Sequence, residues 1–293
     1  MLSLTEIRTI LYKMGLRTEN LAVSAEPFIC AEDGEEYSVL ALNIGGNKLV
    51  LKEAKQFEIA IYSEILTRVD CHVPRLYATA NHWGKDYILM EYVSGEPMMN
   101  CSRSALISAL DALIYLQRSF WQNEECSASG YTFDKSLESR IERGKHLADS
   151  DLERAYSIYL KKYSNLPRTL CHDDLLPFNV LISSENATII DWEIAGILPY
   201  PSSLARLIAH CEDDEKAFFR ISNQDRDFAV WYYYDRLLKP MNISYDDFSS
   251  ALNACLFYEY CEWIMLGNKY GGRGSQRFKH YYKKAKALSA KII

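Results

Sequence analysis

The first part of the chain alternates between short apolar runs and polar turns, a pattern typical of antiparallel strands. Before these runs, apolar residues recur at helical spacing over residues 4–14 and predict a helix. Glycine-containing turns between the runs predict hairpin connections. The predicted strands are Pro27–Ala31, Tyr37–Leu42, Lys48–Glu53, Val73–Tyr77 and Tyr87–Val93, with a helix over Lys55–Arg68. This part is therefore predicted to be a small antiparallel sheet with two helices.

The remainder of the chain is dominated by apolar residues at helical spacing, which predicts a larger and mainly helical part. Short apolar runs interrupt the helices and predict brief strands at 170–171, 180–182 and 188–190. The predicted helices are Arg103–Trp121, Leu137–Leu147, Leu152–Tyr163, Ser203–Ala209 and Gln276–Ile293. A sheet followed by helices, rather than alternating with them, predicts an α+β fold.

A polar run lies among these brief strands and carries the most specific chemistry in the sequence. It contains His172, Asp174 and Asn179, and Asp191 follows a second apolar run at residues 187–190. Two carboxylates and an amide can hold a hard cation such as Mg²⁺ through oxygen, together with phosphate oxygens. Because Mg²⁺ needs only one or two protein carboxylates, a carboxylate that does not bind the cation could accept a proton from a hydroxyl group. A polar loop whose aspartates only cap turns is the alternative interpretation.

The spacing H-x-D-L-x-P-x-N, here residues 172–179, followed by Asp191-Trp192-Glu193, resembles the catalytic motifs of the protein-kinase-like superfamily. It more closely resembles the aminoglycoside phosphotransferase and choline kinase branch, in which D-W/F-E replaces D-F-G. The resemblance implies a bilobal protein-kinase-like fold, with an N-lobe over residues 1–92 and a C-lobe over 93–293. It also implies the use of ATP and Mg²⁺.

The resemblance assigns roles to particular residues. Lys52 would contact the nucleotide phosphates, held by Glu58, with Glu64 as the fallback partner. Asp174 would orient the acceptor hydroxyl and accept its proton, and His172 would support it as a hydrogen-bonding scaffold. Asn179 and Asp191 would hold Mg²⁺. The backbone of a hinge made of Met90, Glu91 and Val93 would pair with the adenine edge.

Three departures from the family pattern affect the interpretation. Residues 31–37, where a glycine-rich phosphate loop is expected, contain one glycine and four acids. Leu176 stands where protein kinases carry lysine, and no A-P-E motif follows Glu193, which favours a small-molecule kinase. Ser202 and Ser203 replace the aspartate that usually opens the next helix, and they could cap that helix instead.

Residues 200–262 carry 6 Lys/Arg and 11 Asp/Glu and are rich in aromatic residues. Such a surface suits a cationic acceptor through ion pairs and cation–π contacts. The candidate substrate residues are Glu193, Glu259, Tyr260, Glu262 and Trp263. The alternative is that these aromatic residues are core and the acids form a solvated face.

Composition excludes some classes of protein. The net charge of −6 provides no basic field for nucleic acid, and no apolar run is long enough to predict a membrane span. The eight cysteines form no C-x-x-C pair, and without an export signal they predict reduced thiols in the cytoplasm. Residues 263–293 carry eight Lys/Arg and no acid. This basic helix could be solvated, could bind an acidic partner or membrane surface, or could cover the acidic helices.

The sequence therefore predicts a kinase that phosphorylates a hydroxyl of a small molecule, and the expected acceptor is a cationic compound such as an aminoglycoside or an amino alcohol like choline. A sugar or another neutral acceptor stays open, as does GTP in place of ATP. A nucleotide-binding regulator without turnover and a protein kinase are the competing classes. The oligomeric state is not readable from the sequence.

Overall fold

The computed structural model describes residues 2–29, 34–55, 57–184 and 186–293. Its N-terminal part contains a five-stranded antiparallel sheet with the strand order β1-β2-β3-β5-β4. The strands are β1 (Val23–Ile29), β2 (Glu36–Ile44), β3 (Asn47–Glu53), β4 (Leu76–His82) and β5 (Lys85–Glu91). The small antiparallel sheet is confirmed, but β1, β2 and β5 begin earlier than predicted, and β4 lies further along the chain. Part of the acidic loop at 31–37, namely residues 31–33, falls outside the described residues.

One helix packs on this sheet. Helix α1 (Leu4–Lys13) begins with a capping box, in which the Ser3 N–H donates to Glu6 at 2.7 Å and the Glu6 N–H donates to Ser3 at 3.3 Å. Its residues Ile7, Ile10 and Leu11 are buried in one apolar cluster with residues of β2, β3 and β5. The alternate residues Ile88 and Met90 of β5 belong instead to the larger apolar cluster of the C-terminal part.

The prediction of one continuous α-helix over Lys55–Arg68 is wrong. The chain forms a short α2 (Glu58–Ala60), then a π-helical turn (Ile61–Ile65) and a 3₁₀ turn (Leu66–Arg68). The apolar spacing determines which face is buried, and Ile61 and Ile65 are indeed buried. Spacing alone does not determine whether each N–H bonds three, four or five residues back, so the wider π turn was not predictable.

The C-terminal part is mainly helical, as predicted. The apolar positions of α3 and α5 are buried as their spacing indicated. The sequence did not predict α7 or most of α8. The helices are α3 (Arg103–Ser119), α4 (Phe133–Gly144), α5 (Ser150–Asn165), α6 (Pro201–Ala209), α7 (Asn223–Tyr233), α8 (Tyr245–Tyr270) and α9 (Gln276–Ile292).

Two small sheets hold the polar run singled out in the sequence. β7 (Arg168–His172) pairs with β10 (Ala195–Pro199), and β6 (Glu96–Pro97) and β9 (Asn186–Ile189) flank β8 (Val180–Ser183). The three brief strands predicted here are therefore present. Because His172 pairs with Ala195, the end of β7 lies beside the segment that follows Asp191.

The basic helix α9 packs on α8 and α5 rather than standing in solvent. Lys284 and His280 pair with Glu212, and Lys286 pairs with Asp149 at 3.3 Å. The sequence left three interpretations of this helix open. These contacts match the one in which the basic helix packs over acidic elements of the chain. In the described ranges, no helix is both long and apolar enough to cross a bilayer.

Candidate active site

The loop after β7 brings the polar run together through local hydrogen bonds. The Leu176 N–H donates to the Asp174 carbonyl oxygen at 2.8 Å, and Nδ2 of Asn179 donates to the same oxygen at 2.9 Å. The carbonyl oxygen of Asn179 accepts the N–H of Ile190 at 2.9 Å. Asp174, Asn179 and the residue before Asp191 are thereby held in one rigid unit.

The buried ring of His172 holds this unit through contacts of both its nitrogens with backbone groups. The side chain is fully buried, and Nε2 lies 2.9 Å from the Ile190 carbonyl oxygen while Nδ1 accepts the Asp174 N–H at 3.3 Å. Burial lowers the pKa of His172, against the raising effect of the Asp174 carboxylate. A neutral ring with its proton on Nε2 satisfies both contacts, so the ring has no nitrogen left for an acceptor molecule.

Ser203 also holds the loop, in a way that the sequence did not predict. The Ser203 hydroxyl accepts the His172 N–H at 2.9 Å and donates to the His172 carbonyl oxygen at 3.3 Å. The expected capping role is wrong, because no side chain caps α6, which begins with Pro201. The cap position is Tyr200, and Ser203 is the third residue of the helix, so its hydroxyl is not placed to cap α6 and bonds to β7 instead.

Lys52 on β3 is the centre of an ionic cluster that joins the two parts of the molecule. Its ammonium group lies 2.8 Å from Oε1 of the fully buried Glu58, contacts Asp191, and lies 3.9 Å from Glu193. Burial lowers the pKa of Lys52, but the carboxylates of Asp191 and Glu58 outweigh this and raise it above its usual value. The ammonium group therefore stays charged. Glu58, and not the fallback Glu64, is the partner that the structure brings to Lys52.

Asp191 occupies an unusual backbone conformation at the edge of this cluster. Its φ of 63° and ψ of 54° are left-handed, a region that aspartate adopts more readily than most residues. The next residue, Trp192, is buried and donates its indole N–H to the Ile189 carbonyl oxygen at 2.7 Å. This anchor fixes the turn that directs Asp191 toward Lys52.

Among the described residues, no group of three or more His, Cys, Asp or Glu side chains converges as a ready-made metal site. Mg²⁺ in phosphoryl-transfer sites ordinarily takes one or two protein oxygens and completes its shell with phosphate and water. The donor set of Asn179 and Asp191 therefore fits Mg²⁺ held jointly with a nucleotide.

The residues predicted to form a hinge lie at the end of β5 and just after it. Met90 is buried and pairs with Val50 and Leu76, whereas Glu91 is exposed and its N–H donates to the Arg75 carbonyl oxygen at 2.9 Å. Val93 is half-buried in the irregular stretch that follows. This stretch connects the five-stranded sheet to β6 of the second part.

Arg206 on α6 was missed by the sequence analysis and occupies the centre of the candidate site. Its guanidinium Nη2 lies 2.6 Å from Oδ1 of Asp174, and Nη1 lies 2.8 Å from both Glu259 and Glu262. His210 Nε2 lies 3.2 Å from the same Glu259 oxygen. Burial lowers the pKa of Arg206, but Glu259 and Glu262 offset it and keep the guanidinium charged.

The candidate substrate residues separate into two groups. Glu193 and Glu262 line a cleft of about 800 Å³ beside Asp174. Glu259, Tyr260 and Trp263 lie outside the lining of that cleft. Their charges and ring faces already have partners within the chain: Glu259 pairs with Arg206, Arg277 lies 4.4 Å from the Trp263 ring centre, and Lys284 lies 5.1 Å from that of Tyr260.

Cys171 precedes His172 and is completely buried. Burial raises the pKa of its thiol to about 12. The residue is therefore an unreactive packing group, since the thiolate is the nucleophilic form.

The strand-borne lysine with its buried glutamate, the loop of Asp174 and Asn179, and the aspartate after a short hairpin together define a protein-kinase-like fold. The sequence profile of the phosphotransferase enzyme family (APH) matches residues 46–237. The chain belongs to that family.

Solved structures with the same fold include small-molecule kinases. A choline/ethanolamine kinase family protein from Mesorhizobium loti gives a TM-score of 0.62 at 16% identity, covering 90% of this chain and 87% of that one. Choline kinase from Cryptosporidium parvum Iowa II gives 0.59 at 14%, covering 95% and 93%. Aminoglycoside phosphotransferase APH(3'')-Id from Streptomyces rimosus, solved with ADP and streptomycin, gives 0.59 at 16%, covering 90% and 100%. At these identities the similarity shows the fold.

One curated protein is similar in sequence over part of its length. The chain is 28% identical over 112 residues to a Bacillus subtilis (strain 168) protein named "Putative serine/threonine-protein kinase YrzF". The alignment spans 36% of this chain and 49% of that protein, so the chain matches about half the length of this relative.

Proposed function

We propose that the protein is a kinase that transfers the γ-phosphate of ATP to a hydroxyl group of a small molecule, with Mg²⁺ as cofactor. One observation carries the proposal. Lys52 is held by Glu58 and contacts Asp191, at the end of the rigid unit that also contains Asp174 and Asn179. Segments that are distant in sequence thus bring together the residue types that phosphoryl transfer requires.

In this proposal the nucleotide lies between the two parts of the molecule. Lys52 binds its phosphates as a fixed positive charge. The carbonyl oxygen of Glu91 and the N–H of Val93 pair with the adenine edge, beside the side chain of Met90. The same stretch supports a boundary between an N-lobe of residues 1–92 and a C-lobe of residues 93–293.

Asn179 and Asp191 are the residues that would hold Mg²⁺. Nδ2 of Asn179 is engaged with the Asp174 carbonyl, so its amide oxygen is the atom suited to a hard cation. Bound there, the cation would offset negative charge on the phosphate oxygens during transfer.

Asp174 is the proposed base. The bond between the γ-phosphorus and its bridging oxygen breaks, a bond from the acceptor oxygen to that phosphorus forms, and the hydroxyl proton passes to the Asp174 carboxylate. His172 positions this carboxylate through the backbone, and Arg206 positions it through its guanidinium group. Catalysis then depends mainly on orientation and on electrostatic stabilisation.

The proposal does not include the cationic charge that the sequence led us to expect on the acceptor. That expectation depended on Glu259, Glu262, Tyr260 and Trp263 being free to bind a cation. Both glutamates contact Arg206, and cations of α9 cover the two rings. A hydroxyl-bearing small molecule is the acceptor class that the cleft beside Asp174 supports.

The test combines nucleotide binding with turnover. Calorimetry should detect Mg-ATP binding, and coupled ADP release should follow addition of an acceptor from a panel of hydroxyl compounds. Asp191→Ala should abolish turnover, and Asp174→Asn should lower kcat far more than Mg-ATP affinity. Asp246→Asn, an exposed aspartate in the first turn of α8, is the matched control and should match the unsubstituted protein. Full activity of Asp174→Asn would refute its role, and no Mg-ATP binding would refute the kinase proposal.

A protein kinase is the second candidate, because the partial B. subtilis relative carries that name. Against it, Leu176 replaces the usual lysine, and only residues 192–200 separate Asp191 from α6. Phosphate transfer from ATP to a peptide library without turnover of small molecules would favour it. Nucleotide binding without turnover of either class would favour a silent regulator. The cytoplasmic location and the lack of a nucleic-acid partner stay predictions from the sequence.

A further inference from the structure

The cleft beside Asp174 has a charge distribution that the acidic composition of the chain does not suggest. Its lining includes five cations and four carboxylates, although the net charge of the whole chain is −6. The cations are Lys55, Lys135, Arg140, Arg143 and Arg206, and the carboxylates are Asp173, Asp174, Glu193 and Glu262.

Three of the four carboxylates of this lining hydrogen-bond to an arginine of the chain, and the fourth, Glu193, lies near the outer limit of an ion pair. Asp173 accepts two hydrogen bonds from Arg140 Nη2, at 2.7 and 2.9 Å. Asp174 and Glu262 both pair with Arg206, and Glu193 lies 3.9 Å from Lys52. A cationic ligand at Asp173, Asp174 or Glu262 would therefore have to displace an existing partner.

Two of the lining cations lack such a partner. In the described part of the chain, neither Lys55 nor Lys135 has a carboxylate oxygen within the 4.0 Å of an ion pair. Nζ of Lys135 lies 4.5 Å from the centre of the Phe57 ring, and both residues line the cleft, so the ammonium group is held there by an aromatic face rather than by a carboxylate. Both lysines are exposed to solvent.

Helix α4 presents one face to the cleft. Lys135, Ser139 and Arg143 line it at intervals of four residues, so they follow one another along that face. Arg143 pairs with Glu262, and its side chain is still 47% exposed. The face therefore offers two cations and a hydroxyl donor, and no acid.

We propose that the acceptor carries an anionic group, a carboxylate or a phosphate ester, which binds Lys135 and Arg143 on α4 and Lys55 opposite, while its hydroxyl lies at Asp174. This deepens the proposed function and rests on it. Lys135 is the residue that determines specificity, because its charge has no competing carboxylate. Charge-assisted hydrogen bonds to an oxyanion are among the stronger polar contacts in proteins.

The experiment compares matched hydroxyl compounds: gluconate, glycerate and glycerol 3-phosphate, then glucose and glycerol, then glucosamine and choline. Coupled ADP release with Mg-ATP gives kcat and KM, and calorimetry measures binding of the same compounds and of inorganic sulfate with and without saturating Mg-ADP. The variants are Lys135→Gln, Lys135→Arg and the control Lys145→Gln. Lys145 follows α4, pairs with the exposed Glu142 and does not line the cleft.

An anionic compound should be turned over or bound in preference to its neutral and cationic counterparts. Lys135→Gln should raise its KM or Kd about tenfold or more with little change in kcat, since one charged contact is lost. Lys135→Arg should restore most of the affinity, and Lys145→Gln should have no effect. The carboxylate and phosphate compounds separate the two kinds of anion.

Preference for a neutral or cationic compound would overturn the inference, as would anion binding that Lys135→Gln leaves unchanged or no anion binding at all. Failure of the proposed function is a separate result. It would appear as absent Mg-ATP binding, whereas anion binding that depends on Lys135 can still be measured without nucleotide.

Discussion

The variant Arg206→Met tests the charge network behind the candidate base. Methionine approximates the length of the arginine stem and removes the charge. The Arg206 side chain is 17% exposed, and its partners Glu259 and Glu262 are 4% and 16% exposed. Removing one partner of a buried pair leaves an uncompensated charge and costs about 3–5 kcal/mol. We expect the free energy of unfolding to fall by roughly that amount.

Equilibrium unfolding in urea, followed by tryptophan fluorescence, measures this loss. Arg220→Met is the matched control, because its side chain is 45% exposed and its partner Glu215 is 86% exposed. Such surface changes are usually within about 0.5 kcal/mol. Glu262 would keep Arg143 as a partner, so Glu259 is the most buried charge that Arg206→Met strands. Adding Glu259→Gln removes this charge and should recover about 1 kcal/mol or more, because contacting residues couple by about 0.5–3 kcal/mol.

The same variant should also lower kcat more than Mg-ATP affinity, because Asp174 loses the group that fixes its carboxylate. If Arg206→Met costs no more stability than Arg220→Met, the network does not contribute to stability as argued. If the double variant recovers nothing, the loss comes from packing rather than from stranded charge.

Three further predictions concern separate parts of the molecule. Lys52→Met should weaken Mg-ATP binding about tenfold or more by calorimetry, because a contact with charged phosphate is lost. Gly196→Ala should lower the free energy of unfolding by about 1–3 kcal/mol, because a Cβ there would lie 2.1 Å from the Tyr131 carbonyl oxygen; Gly274→Ala, with nothing within 4 Å, is the control. Burial raises the pKa of Glu212, but cations of α9 outweigh this and hold it below 4.5. Its contribution to stability is therefore present above pH 4.5 and lost as pH falls further, and Glu212→Gln should flatten the pH dependence of unfolding in that range.

Each of these has an outcome that would contradict it. An unchanged Kd for Lys52→Met would remove the proposed phosphate contact. Equal stabilities of the two alanine variants would show that the backbone near residue 196 relaxes without cost. A pH profile of Glu212→Gln that runs parallel to that of the unsubstituted protein would assign the acid sensitivity to other carboxylates.

The sequence predicted the elements that depend on local pattern. Alternating apolar residues identified β2 and β3, and helical spacing identified α1, α3 and α5. The catalytic loop was also predictable, because Asp174 and Asn179 are close in sequence and the hydrogen bond between them is local. Lys52 and Asp191 are 139 residues apart, and only the resemblance to a known family connected them.

The network around Arg206 could not be predicted in this way. Its partners lie 32, 53 and 56 residues away, on a loop and on a helix whose orientation follows from core packing. The sequence showed an acidic, aromatic region, but not that α6 and α9 supply cations to it. Counting charges along the chain therefore suggested a cation-binding surface. Pairing them in three dimensions left Lys135 on α4 and Lys55 without a carboxylate partner among the described residues.

Glu193 lies between the ionic cluster of Lys52 and the cleft beside Asp174. It lies 3.9 Å from Lys52 and also lines the cleft beside Asp174. Under the proposed function, a nucleotide that engages Lys52 alters the field that an acceptor meets at Glu193. Thermodynamic linkage then requires reciprocity: whatever factor the nucleotide imposes on acceptor affinity, the acceptor imposes on nucleotide affinity. The two substrates would bind cooperatively or antagonistically through a single side chain, without any movement of the fold.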